Sequence, residues 1–197
     1  MLIGICGKSG SGKSTLANEI IKIYQEKCLH LDIDKIGHHV LTLDSTKKEL
    51  VKFFGNNVLK DDIVDRKFLG AIVFNSPKEM DKLTDITWEA MQKEIDNYIK
   101  VNKNRTIILD WLLLPKSKYF KECKLKILID IPYEIRKDRA IKRDNISEEA
   151  FSLREKASYK YNENEFDIVI KNNTTEEYER VFGLLWKKFY IQEVLTL

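Results

Sequence analysis

The sequence predicts an α/β protein whose core is a five-stranded parallel sheet with helices on both faces. Three observations carry that prediction. Short apolar runs of strand length alternate with longer segments of helical periodicity. The runs at 106–110 and 125–130 are almost wholly apolar and each closes on Asp, the pattern of strands buried on both sides. Four of the eight glycines fall within the first twelve residues, where a strand passes into a helix.

Element by element, residues 2–6 form a buried strand bounded by glycines. Residues 13 to 26 carry apolar side chains at 16, 17, 20, 21 and 24, which is helical spacing. A second strand spans 28–33. A polar, Lys-rich stretch from 35 to 103 reads as mostly helical. Within it Ser76-Pro77 marks a helix start, with Ser as cap and Pro in the first turn, and that helix runs to Lys100. Strands follow at 106–110, 125–130 and 167–170. Helices are expected at 133–144 and 147–161. A last helix carries apolar residues at 178, 181, 182, 185, 186 and 189. Its aromatic stripe, Tyr178, Phe182, Trp186 and Phe189, reads as core.

With 197 residues, 43% of them hydrophobic, the chain suits one domain with a real core. The 34 basic and 31 acidic side chains are interleaved, so no nucleic-acid partner is expected. No apolar run has the length of a membrane span. The opening apolar residues lack a basic leader and read as a strand rather than a signal peptide. Three cysteines without a CxxC pair fit reduced, partly buried thiols in a cytoplasmic protein.

The glycine cluster has a chemical reading. Gly7-Lys8-Ser9-Gly10-Ser11-Gly12-Lys13-Ser14 fits GxxxxGK[ST], between a strand and a helix. Such a loop must wrap closely around phosphate oxygens, so side chains are excluded where the backbone approaches. Backbone amides and the helix N-terminus then face the anion. Gly7, Ser9, Gly10, Ser11, Gly12, Lys13, Ser14 and Thr15 are therefore the expected ATP-binding residues. Lys13 would reach the β- and γ-phosphates, and the Ser14 hydroxyl would bind Mg²⁺. The motif is specific for a nucleoside triphosphate and silent about what is done with it.

Asp32 and Asp34 follow the second strand, at the sheet edge where α/β ligands sit. On an extended segment, residues two apart leave the same face. One could accept a proton from an attacking hydroxyl while the other steadies metal-bound water or caps the next helix. Asp34 is the preferred base. Asp110 resembles a second metal-side carboxylate, and Asp32 is a further metal candidate. Asp34-Lys35-Ile36-Gly37 also spells the DxxG of GTPases, but it comes too soon after the loop, and no NKxD pattern follows. Arg136, Arg139 and Arg143 recur at spacings of three and four on one helix. Arg139 and Arg143 read as lid groups closing over the triphosphate, and Arg136 as part of a solvated basic face. His38 and His39 are adjacent, so they point apart and read as surface or substrate-edge residues.

These residues together resemble the dephospho-CoA kinase family. Leu31-Asp32-Ile33-Asp34 is similar to the family's Asp-Ala-Asp segment. Phe54-Gly55 and Asp65-Arg66-Lys67-Phe68-Leu69-Gly70 with Ile72-Val73-Phe74 resemble its D-R-x-x-L-G-x-I-V-F stretch. Ile129-Asp130-Ile131-Pro132 and Arg139-x-x-x-Arg143-Asp144 resemble its fourth strand and lid, and 166–173 its closing strand and asparagine turn. The resemblance implies phosphorylation of the ribose 3′-hydroxyl of dephospho-CoA by ATP, with Asp34 as base and Mg²⁺ as cofactor. It implies a single kinase domain over 1–197, with a core of P-loop nucleotide-kinase type at 1–59 and 104–197, a helical substrate-binding insertion at 60–103 and a lid near 139–147. It places Arg66 and Phe74 near dephospho-CoA, Arg139 and Arg143 beside ATP, and Asn172 or Asn173 near the adenine. The partners expected are these two small molecules, for a monomer or small homo-oligomer.

Two segments depart from the family pattern. Trp88-Glu89 stands where His-Pro is frequent, and Leu112-Leu113-Leu114-Pro115-Lys116 stands where Pro-Leu-Leu-x-Glu is frequent. Both belong to the substrate side, so a reshaped acceptor pocket is expected. The same loop would also serve a kinase of another small acceptor, such as a nucleoside or nucleotide, or a protein that binds nucleotide without transfer.

Overall fold

The computed structural model describes residues 1–171 and 175–194. Strand β1 (Leu2–Gly7) runs into the glycine loop, and α1 (Lys13–Tyr24) leaves it. A 3₁₀ turn, Gln25–Lys27, leads to β2 (Cys28–Asp32), α2 (Ile33–Val40) and α3 (Asp44–Phe54). A 3₁₀ turn and a hairpin of β3 (Leu59–Lys60) and β4 (Ile63–Val64) precede α4 (Arg66–Val73) and the long α5 (Pro77–Val101). Next come β5 (Thr106–Asp110), α6 (Tyr119–Glu122), β6 (Leu125–Ile129), α7 (Tyr133–Asp144) and α8 (Glu148–Lys156). The chain ends with β7 (Ile168–Ile170) and α9 (Thr175–Val194).

The described residues divide into two compact units. One holds Met1–Leu31, Arg105–Ile146 and the described part of Tyr159–Leu197. It carries the five-stranded sheet, in the order β2-β5-β1-β6-β7. β1 pairs in parallel with both β5 and β6, and β6 with β7. The expected α/β fold is therefore present, with β1 at the centre. Its buried pattern needs no polar face, and all six of its residues are buried. Ile3, Ile5, Ile127, Ile129 and Ile168 pack with Leu16, Ala17 and Ile20 of α1 and Val181 and Leu185 of α9. Tyr178 and Phe182 lie against this core as the stripe predicts, while the side chains of Trp186 and Phe189 fall outside the described ones. A Cβ on Gly4 would sit 2.7 Å from Leu114 and 3.1 Å from the Cys123 sulfur, so packing explains that glycine.

The other unit holds Asp32–Asn104 and Ser147–Ser158. Its core is Leu50, Val58, Val64, Leu69 and Val73, flanked by Met80, Leu83 and Ile86 of α5. The Ser76 hydroxyl accepts the Glu79 amide at 3.3 Å, so α5 starts where the Ser-Pro pair predicts. Two readings need correction, at Ile33 and at 161, and the stretch 35–103, mostly helical as expected, also holds a short hairpin. Ile33 opens a helix rather than ending a strand, because the Asp32 carboxylate accepts the Lys35 amide and caps α2 there. The 35–103 stretch contains the β3–β4 hairpin, whose two turn residues, Asp61 and Asp62, take positive φ, with Lys47 braced on Asp62 at 2.7 Å. The helix expected to reach 161 stops at Lys156, and the Ser158 hydroxyl then takes the Arg154 carbonyl at 2.9 Å.

Candidate active site

In the sheet-bearing unit the glycine loop is held from both ends. The Gly7 amide donates to the Tyr161 hydroxyl at 3.1 Å, and that hydroxyl donates to the Leu112 carbonyl at 2.8 Å. The Ser11 amide donates to the Lys8 carbonyl at 3.1 Å, closing the turn. Gly10 has φ of 78°, and a Cβ there would fall on the Arg136 carbonyl, so only glycine lets the two backbones meet. Gly12, at φ of 98°, caps α1 and has no side chain to offer the first-turn amides of that helix. Those amides and the positive end of the helix dipole are disposed for an anion. Lys13 opens α1, and Ser14 and Thr15 are exposed behind it.

Ser14 leads to the second carboxylate. Its hydroxyl donates to Asp110 Oδ2 at 2.6 Å, at the carboxyl end of β5. His30 Nε2, from β2, meets the same oxygen at 3.2 Å. Burial works to raise the Asp110 carboxyl, but the His30 hydrogen bond, the Lys13 charge and the Ser14 hydrogen bond together hold it below the usual carboxylate range. Asp110 is thus ionised and is 97% buried beside a hydroxyl. A hydroxyl and a carboxylate are hard oxygen ligands of the kind Mg²⁺ takes, with water and phosphate oxygens completing its shell, so the pair fits that ion. Among the described residues no cluster of three His, Cys, Asp or Glu side chains forms a metal cage.

The three arginines separate. Arg136 is 4% exposed, and its Nε donates to the Ile131 carbonyl at 2.9 Å, which overturns its placing on a solvated face. Its backbone supports Gly10, so burial follows from the packing of α7 on the loop. Arg143 is exposed, pairs with Asp144 at 2.7 and 3.1 Å, and reaches Ser9 Oγ at 3.5 Å. It is therefore both locally paired and at the loop. Arg139 is exposed and lies close enough to Tyr178 for its charge to oppose the raising effect of burial there. Asn172 and Asn173 lie outside the described residues.

The second unit holds the other candidates. Asp34 is exposed in the first turn of α2. The strand alternation expected to align it with Asp32 does not apply, because the chain turns helical between them. Asp32 is engaged at the helix start, with Lys35 Nζ 3.4 Å from its Oδ2. Arg66 opens α4, whose cap, Asp65, accepts the Lys67 and Phe68 amides at 3.0 and 2.9 Å. Arg66 Nη2 lies 2.6 Å from His38 Nε2. A guanidinium only donates, so Nε2 accepts and the imidazole is neutral. Burial and then the Arg66 charge hold His38 below its ordinary value. Phe74 caps the C-terminus of α4, with the Arg154 guanidinium 5.8 Å from its ring centre.

Tyr161, His30 and Arg154 carry no sequence motif. A signal existed for His30, the one basic residue inside Cys28-Leu29-His30-Leu31-Asp32, a strand run whose other residues before the closing Asp are apolar. Tyr161 and Arg154 belong to contacts far apart in sequence and left no such trace.

The profile of the dephospho-CoA kinase family matches residues 1–177. A dephospho-CoA kinase of Aquifex aeolicus is 35% identical over 187 residues, covering 91% of this chain and 93% of the relative. One from Fusobacterium nucleatum is 33% identical over 187 residues, covering 90% and 92%. A crystal structure of a protein from Thermus thermophilus superposes with a TM-score of 0.77 over 95% of this chain and 97% of its own, at 23% identity, a likeness of fold.

Proposed function

From the premise that this chain belongs to the dephospho-CoA kinase family, we propose that it transfers the γ-phosphoryl group of ATP to the ribose 3′-hydroxyl of dephospho-CoA, with Mg²⁺ held by Ser14 and Asp110 and Asp34 as base. The observation that supports the nucleotide half is the Ser14–Asp110 contact of 2.6 Å behind an uncapped helix N-terminus. Phosphoryl transfer asks little covalent work of a protein and much positioning and charge neutralisation. The loop amides and Lys13 hold the triphosphate. Bound Mg²⁺ supplies neutralisation of charge on the β- and γ-phosphates. Asp34 takes the proton of the acceptor hydroxyl as its oxygen bonds to the γ-phosphorus and the bond to the β–γ bridging oxygen breaks, releasing ADP. Arg143, already at Ser9, contributes charge on the phosphate side, joined by Arg139. Arg66 and Phe74 serve the acceptor, residues 60–103 are the acceptor-binding region, and 139–147 act as a lid that excludes water. Asn172 and Asn173 serve the adenine. The enzyme works in the cytoplasm as a monomer or small homo-oligomer.

The test is turnover. Purified protein with Mg-ATP and dephospho-CoA is expected to yield CoA and ADP in equal amounts. No CoA, with ADP produced only when a nucleoside or nucleotide is supplied, would reassign the acceptor, the outcome that Trp88-Glu89 and the 112–116 segment make worth testing. Nucleotide binding without ADP formation for any acceptor would make the chain a nucleotide sensor.

A further inference from the structure

We infer that His30 is a positioning residue for Mg²⁺, holding the Asp110 carboxylate in register with the Ser14 hydroxyl through a hydrogen bond across the β2–β5 edge of the sheet. The geometry assigns each role. Asp110 is 97% buried, and its Oδ2 already accepts the Ser14 hydroxyl proton at 2.6 Å, so that oxygen faces His30 as an acceptor. The nitrogen facing it at 3.2 Å is therefore a donor, and His30 carries its proton on Nε2. The His30 side chain is 15% exposed, so the bond is shielded from water that would otherwise compete for it. Both donors meet Oδ2, Ser14 at 2.6 Å and His30 at 3.2 Å, and they come from two different elements, α1 and β2. A carboxylate at a strand end has two-fold freedom about its last torsion. One hydrogen bond from Ser14 leaves that freedom partly open, and it ties the carboxylate only to the group whose hydroxyl must itself meet the ion. The second donor, fixed on a neighbouring strand, removes it. Partners that orient a metal's ligands typically carry 10- to 100-fold in metal affinity or activity.

The inference rests on the reading of Ser14 and Asp110 as the Mg²⁺ ligands, and its test separates the two. Calorimetry measures the affinity for ADP with and without Mg²⁺, and the ratio of the two is the readout. In His30→Leu this ratio is expected to fall about tenfold, with metal-free ADP affinity unchanged. His30→Gln, which can still donate, is expected to restore most of it. In turnover, His30→Leu is expected to need more Mg²⁺ for half-maximal rate and to approach the wild-type kcat at saturating metal. Asp110→Asn is the control and is expected to remove the Mg²⁺ enhancement. If Asp110→Asn leaves the enhancement intact, the ligand assignment fails and His30 falls with it. If Asp110→Asn removes it but His30→Leu does not, only the inference about His30 is overturned. An equal loss of ADP affinity with and without metal would likewise overturn it, since that is the mark of a loosened loop.

Discussion

Lys13 and Asp34 are single residues on which the proposed chemistry turns, and each has its own signature. Lys13 opens α1 directly behind Gly12; in the proposed chemistry its ammonium would serve bound phosphate, while its backbone belongs to a helix start that alanine also tolerates. Lys13→Ala is expected to keep the melting temperature within a few degrees and to cut kcat by about 10²-fold or more, the scale of losing one charge-stabilising donor. Near-normal turnover would remove Lys13 from the mechanism. Asp34 is exposed in the first turn of α2, whereas Asp32 is occupied at the cap. Asp34→Asn is expected to lower kcat by about 10²- to 10⁴-fold with KM for ATP little changed. Asp32→Asn is expected to act mainly on stability. If the two variants exchange these effects, the base is Asp32.

The elements show how short local signals place such residues. Asp65 accepts two amides of α4 in the turn that begins with Arg66, and the same helix ends on Phe74. The cap thus fixes the start of the segment proposed for the acceptor. Asp65→Ala is expected to cost about 1 kcal/mol of stability. It is also expected to raise KM for dephospho-CoA several-fold with KM for ATP unchanged, measured by steady-state kinetics. Equal effects on both substrates would contradict the assignment of α4 to the acceptor. A similar argument applies to Gly10, where α7 passes so close that its Arg136 carbonyl occupies the place of a side chain. Gly10→Ala joins that clash to a positive φ, and a loss above about 1 kcal/mol is expected in thermal unfolding.

Across the whole molecule the cysteines report on opening of the sheet-bearing unit. Cys6, Cys28 and Cys123 all lie in it and are all buried. Burial pushes the Cys28 thiol up to about 11 and the Cys123 thiol up to about 12, and it raises Cys6 as well. The sign follows directly: at pH 8 a group raised this far is a thiol in the folded chain and in substantial part a thiolate once exposed. Ellman's reagent is therefore expected to label the native protein slowly and to react with all three cysteines once urea unfolds it. ATP with Mg²⁺ is expected to slow the native reaction further, because ligand binds only the folded form. Fast stoichiometric labelling of the native protein would contradict this burial. Among the described residues no helix is long and apolar enough to cross a membrane.

The sequence by itself determined the strands of the five-stranded sheet, the phosphate loop and the start of α5. Each is written in consecutive residues: an apolar run, a Gly-rich string with Lys-Ser, a Ser-Pro pair. Local chemistry decides such features, because the partners of each group lie within a few residues. It failed where a local rule meets a competing one. Asp32 was legible as a strand end, but its capping of α2 broke the alternation that was to align it with Asp34. Arg136 read as solvated on charge alone, and only the approach of α7 to Gly10 buries it. The tertiary structure alone decided that His30 and Ser14, from separate elements, meet on one oxygen of Asp110, and that Tyr161 ties Gly7 to Leu112. Those bonds join residues up to 154 positions apart. No sequence period encodes them, because they depend on which strands lie side by side, and that order is settled by burying the sheet as a whole.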